Sequence, residues 1–221
     1  MIVYTAIMGY KDTLTPPTVD LPEGVKAVCF TDLNSSVFPQ DRIAPYKIES
    51  VSPYGRNSYV KQRHVKTYWP PVLSLEGSSL FMDSNIRLTV SIPELMNEIG
   101  GGDFVLIKHP WRRCLYEEAE AVKSLGLDDP KIVDAQVNHY RKEGCPENLG
   151  LYACGMFFRR HTKVVKQVSR RWFQEISRWS HRDQISLPYV LWATDFHPTV
   201  WNINLCNNRF FRVFGHAPRP K

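Results

Sequence analysis

Apolar residues fall into two rhythms along this chain, short unbroken runs and stripes at helical spacing, and the two take turns. IVYTAI at 2–7 predicts a first β-strand, and KAVCFTD at 26–32 predicts a second that ends on Thr31-Asp32. A proline-dense loop over 10–24 joins them, and RIAPYKIESV at 42–51 reads as an edge strand. Residues 55–69 change to the helical period and stop at Pro70-Pro71, since proline lacks an N–H and crowds the preceding turn. SSLFMDSN (78–85), DFVLIKH (103–109) and GLYACGMFFRRH (150–161) are further strands. LYEEAEAVKSLG and KIVDAQVNHYRKEG are helices closed by Gly126 and Gly144. Over 162–180, Val165, Val168, Trp172, Ile176 and Trp179 line one helical face. DQISLPYVLWAT opens another helix at 183, and TVWNINLC and RFFRVFGH read as closing strands.

Strands and helices alternate without an internal repeat or low-complexity tract, which predicts an α/β sandwich around a mostly parallel sheet. The 221 residues suffice for one large domain, 1–221. The proline-rich, basic ending GHAPRPK (215–221) reads as the start of a linker, so membership of a longer multidomain chain is an open expectation. In such sheets ligands bind beyond the carboxyl ends of the strands. Asp32 and Asp83 both sit there.

The stretch LFMDSNIRL (80–88) holds the sharpest chemical signal. A buried-looking strand stops on Asp83-Ser84-Asn85. Asp and Asn spaced two apart make a turn readily, because both bond to nearby backbone. In extended chain the same spacing puts two oxygen-bearing side chains on one face, where they suit a hard cation. Both readings stand on the motif alone.

In the helix at 55–69, Lys61, Val65 and Tyr68 share a face, which puts a cation on the inward side, while Arg56, Arg63 and Lys66 are expected to look out to solvent. His109, Arg112 and Arg113 precede a helix start that favours anions, or else pair with Glu117 and Glu118. Ser180 and Asp183 match a capping box, and a carboxylate there equally suits a base or an orienting group. His216 stands alone beyond the last apolar run.

Composition narrows the partners. The content, 43% hydrophobic and 23% charged, is that of a soluble globular protein. No apolar run approaches a membrane span. Five cysteines without a C-x-x-C pair suggest a reducing, cytoplasmic compartment. A net charge of +6 implies an anionic partner, and its scatter over several loops fits a phosphate site better than a nucleic-acid stripe.

In order along the chain, YTAIMGYKD, CFTDL, GRNSYVKQRHVK, LFMDSNIRL, HPWRRCLYEEAEA, QVNHYRKEG, GLYACGMFFRRH and RWFQEISRWSHRDQIS resemble a glycosyltransferase-like family. It was long known as a domain of unknown function and has plant mucilage- and turgor-related and bacterial members. A domain of large algal viruses thought to glycosylate capsid protein is similar too. The resemblance runs to about residue 192 and implies a GT-A fold binding a UDP-sugar and Mn²⁺ (or Mg²⁺) through a D-x-D-type motif. That motif is Asp83-Ser84-Asn85 here, so one carboxylate is replaced by an amide, a weaker ligand. By the same resemblance His216 becomes a third metal ligand, Thr5 and Ile7 line the nucleotide, and Asp32 contacts uracil or ribose. Lys61 and Arg56 approach the diphosphate, and Asp183-Gln184 face the sugar. The acceptor would be a glycan or glycoprotein, and similarity to glycogenin-like enzymes favours retention of configuration.

Two other classes compete. A sugar-phosphate nucleotidyltransferase would carry a glycine-rich basic signature after the first strand, where MGYKDTLTPP is poor in both. A non-catalytic module for polyanions or nucleic acid would bind with steep salt dependence and ignore Mn²⁺. The Asn85 departure also keeps a sugar-binding pseudoenzyme in view.

Overall fold

The computed structural model describes residues 1–9, 12–38, 43–74 and 77–215. Among these, seven strands form one sheet: β1 (Ile2–Ile7), β2 (Lys26–Thr31), β3 (Lys47–Ser50), β4 (Ser78–Met82), β6 (Phe104–Lys108), β7 (Tyr152–Arg160) and β8 (Thr199–Trp201). Their order is β3-β2-β1-β4-β7-β6-β8. All run the same way except β7, which is antiparallel to both its neighbours. β3 lies at an edge, as its weak, half-polar pattern predicts. The closing strand β9 (Phe211–Val213) does not join this sheet; it pairs with β5 (Ile86–Leu88), directly after the Asp83-Ser84-Asn85 turn.

Both faces of the sheet are covered. One carries α1 (Ser58–Tyr68), α4 (Leu115–Ser124), α5 (Pro130–Lys142), α6 (Lys163–Arg178) and α7 (Asp183–Ala193), packed over Tyr4, Phe30, Phe81, Phe104 and Phe157. The other carries α3 (Ile92–Ile99) and the β5–β9 pair, packed over Val3, Leu80, Met82, Val105 and Phe158. Alternation along β4 determines which layer receives the motif carboxylate. Phe81 faces the helical layer while Leu80 and Met82 face the other side, so Asp83 continues on the side of α1 and α7.

Local chemistry sets the element ends. Asn57 caps α1, accepting from the Val60 N–H at 3.0 Å. Trp69 is extended, and Pro70 starts the one-turn α2 (Pro70–Leu73) as its first residue, so the proline pair ends one helix and begins another. The eight-residue α3 carries signals the hydrophobic pattern alone passes over: Ser91 accepts from the Glu94 N–H, and Gly100 follows at φ 72°. All five cysteines are free thiols, and no helix among the described residues is long and apolar enough to cross a membrane. Residues 216–221, which hold His216 and most of the linker expected at 215–221, lie outside the described residues.

Candidate active site

The site forms where β1, β2 and β4 end. Asp32 directly follows β2, and its Oδ1 accepts the Gly9 N–H at 2.8 Å while Lys61 Nζ stands 3.4 Å from Oδ2. Gly9 adopts φ 65°, a left-handed turn that brings its N–H round to Asp32. Lys61 is partly exposed and places its ammonium at the rim.

The buried cation of α1 is Lys66, not Lys61. Its side chain is 2% exposed; Nζ lies 2.7 Å from Asp183 Oδ2, 3.4 Å from Asp83 Oδ1 and 5.0 Å above the Phe81 ring. Arg63 Nε reaches Asp183 Oδ2 at 3.2 Å. Arg63 and Lys66 therefore point inward, against the sequence expectation. α1 packs against both the sheet and α6, so it buries two faces and not one. A sequence signal did exist: α1 carries Lys61, Arg63 and Lys66 and no acid, with little room for a solvated stripe. The carboxylate partners had to come from elsewhere.

Two cations and two carboxylates balance in this cluster. Burial by itself would push the Asp183 carboxyl up, but the Arg63 and Lys66 charges hold it well below the usual carboxylate range. Asp183 is the first residue of α7, Arg182 occupies the cap position, and no side chain caps the helix start. Ser180 instead bonds Asp128 at 2.6 Å, and Asp128 also holds His181 at 2.7 Å. The capping-box expectation is thus overturned. Gln184 Nε2 donates to the Tyr152 carbonyl at 3.3 Å, at the first residue of β7.

At the β4 tip the Asp83 N–H donates to the Gly155 carbonyl at 2.7 Å. The β6–β7 register slips beside Gly155, between the partners Phe157 and Ala153, a bulge-like irregularity in β7. A Cβ on Gly155 would stand 3.2 Å from Asp83 Oδ2. Asn85 donates its Nδ2 to the Phe214 carbonyl at 2.7 Å, and its own backbone carbonyl accepts the Phe214 N–H at 2.9 Å.

Other expected site residues go elsewhere. Thr5 and Ile7 are buried in β1, where Ile7 is the last residue and packs among Leu14, Cys29 and Phe38, and Gly9 stands just beyond it. The Arg56 guanidinium is engaged by the Ser177 and Trp179 carbonyls, both at 2.7 Å, where it caps the end of α6. Arg112 closes on Glu118 at 2.6 Å and the Arg113 N–H on Glu117, the structural alternative to an anion site. Arg159, missed by sequence reasoning, is fully buried and donates to the Thr67 and Lys66 carbonyls and the Tyr4 hydroxyl. It anchors the end of α1 and with it Lys66.

For a divalent cation the donor set is short. Among the described residues no three His, Cys, Asp or Glu side chains gather as a metal cage. Residues 83–85 form a turn, with the Ile86 N–H bonded to the Asp83 carbonyl at 2.9 Å, so their oxygens are offered from a turn and not from one face of an extended strand. Lys66 takes Asp83 Oδ1 and Phe214 takes the Asn85 amide nitrogen, which leaves Asp83 Oδ2 and Asn85 Oδ1 as oxygen donors at one strand tip.

A mostly parallel α/β sheet with one reversed strand, and with acids and cations gathered at the strand tips, makes this a GT-A-like domain. The chain belongs to the TOD1/MUCI70 glycosyltransferase-like domain family, which it matches over residues 75–217. It is 28% identical over 149 residues to "Probable hexosyltransferase MUCI70" of Arabidopsis thaliana, a stretch covering 61% of this chain and 26% of that protein. The chain thus aligns with about a quarter of that relative's length.

Proposed function

We propose that this domain transfers a hexosyl unit from a nucleotide-sugar, UDP-linked, to a glycan or glycoprotein acceptor, with Mn²⁺ or Mg²⁺ at Asp83 and Asn85. The observation that carries the reading is the Asp83–Lys66–Asp183 cluster at the tip of β4, in which Lys66 and Asp183 are buried and Asp83 is partly exposed. A divalent cation, when bound, supplies charge neutralisation to the diphosphate. The cluster's own charges, Lys66 and Arg63 against Asp83 and Asp183, already balance, which suits a ligand pair of little net charge.

As the glycosidic bond breaks, the departing nucleoside diphosphate gains negative charge. On this reading Lys61, partly exposed beside Asp32, would face that charge. At an effective dielectric of about 20, an unpaired ammonium about 4 Å away contributes about 4 kcal/mol, roughly a thousandfold in rate, and the Asp32 carboxylate 3.4 Å from Lys61 reduces that figure. Asp32, which bonds the Gly9 N–H and faces Lys61 at the β2 tip, would meet the nucleoside on this reading. Asp183 stays ionised under the hold of Arg63 and Lys66, which makes it a poor proton acceptor. It suits orienting sugar hydroxyls and stabilising positive charge at the anomeric carbon, a role that sits with retention of configuration.

The test is thermal. UDP or UDP-sugars should raise the melting temperature in the presence of Mn²⁺ by mass action, and EDTA should remove most of the shift. An equal shift with EDTA present would sink the metal-bridged reading, and no shift with any nucleotide-sugar would sink the donor reading.

A further inference from the structure

The strand order lays the site out along a line. Asp32 stands at the β2 tip, Asp83 at the β4 tip, and Gln184 over the start of β7. β6 comes next, its Lys108 paired with Tyr152, the residue whose carbonyl Gln184 holds. The segment leaving β6 carries Trp111, which is 73% exposed although tryptophan has much apolar area to hide.

The backbone around that indole is fixed. His109 is buried and donates its backbone N–H to the Leu151 carbonyl at 2.8 Å. Its Nδ1 accepts the Trp111 N–H at 3.3 Å and the Arg112 N–H at 3.0 Å, and its ring meets the indole edge-on at 5.7 Å. Arg112 is clamped on Glu118. A pre-ordered turn thus holds a large apolar face in water, on the opposite flank of Asp183-Gln184 from the nucleotide end of the line.

Resting on the proposed transferase activity, we infer that Trp111 is the stacking platform for a pyranose ring of the acceptor glycan. One face of a pyranose presents C–H groups, which pack on the negative face of an indole, while its hydroxyls stay at the rim. Lys108 and Arg113, both flanking the turn, supply donors there. Holding the indole in a rigid turn reduces the ordering cost of binding.

Saturation-transfer NMR with gluco-, galacto- and xylo-oligosaccharides tests this. The wild type should saturate the protons of at least one series. Trp111→Ala should weaken that binding by about tenfold or more, as truncation of a central aromatic anchor does, while Trp111→Phe keeps part of it. The UDP–Mn²⁺ melting shift should be unchanged in all three proteins. Equal saturation with Trp111→Ala, or none with the wild type, overturns the assignment. A chain that binds the oligosaccharide through Trp111 but shows no UDP shift upholds the platform and defeats the donor reading.

Discussion

Lys66 decides the energetics at the scale of single residues. Removing one partner of a buried ion pair costs about 3–5 kcal/mol, because the other charge is left without compensation. Lys66→Met and Asp183→Asn should each lower stability by about that much. The double variant should lose clearly less than the sum, as chemical denaturation of all four proteins would reveal. Additive losses would show that the 2.7 Å contact contributes little. Below its melting transition, Asp183→Asn should cut turnover by about a hundredfold or more if the charge serves the sugar, and a fully active variant would remove Asp183 from the chemistry. Asn85→Asp restores the two-carboxylate form of the motif, yet it trades the amide donor to Phe214 for a carboxylate facing a carbonyl. It should therefore destabilise by about 1–3 kcal/mol, and a variant as stable as wild type would show that the amide bond is dispensable.

Among elements, the turns around α1 and β6 share a device that acid should undo. Burial pushes the imidazoles of His64 and His109 down to about 4, with Arg112 adding to the effect at His109. Each Nδ1 accepts a backbone N–H, from Tyr54 and from Trp111, which a protonated ring cannot do. The folded state therefore binds fewer protons than the unfolded one between the ordinary histidine value and about 4. Stability is complete above that ordinary value and declines as pH falls toward 4. Melting curves from pH 7 to 4.5 should show the decline, about 2–4 °C per kcal/mol in a chain of this size. His109→Asn, which keeps an acceptor without the titration, should flatten part of it; an unaltered slope would clear His109. Gly155→Ala should press on Asp83 Oδ2 and raise the Mn²⁺ concentration for half-maximal melting shift by roughly three- to tenfold, within the usual overpacking cost. No change would mean that β7 yields there.

For the whole molecule, the alternation of apolar runs and helical stripes made the layered sheet legible, and strand tips made Asp32 and Asp83 legible with it. The antiparallel β7 and the pairing of β9 with β5 were not, since local pattern says which segments are strands and nothing of their partners. Lys66 stayed hidden for a related reason: judging a helix by one buried face fails where it is sandwiched between sheet and helix. The tie between Asn85 and Phe214 joins positions 129 residues apart. On the ribosome, Asp83 and Asn85 emerge long before the strand that fixes Asn85, and domains fold as units once enough chain is available. A nascent chain would then carry the motif's one carboxylate without its finished geometry. If the proposed cation site is real, it would form only late in synthesis, and partial products should be silent and not merely weak.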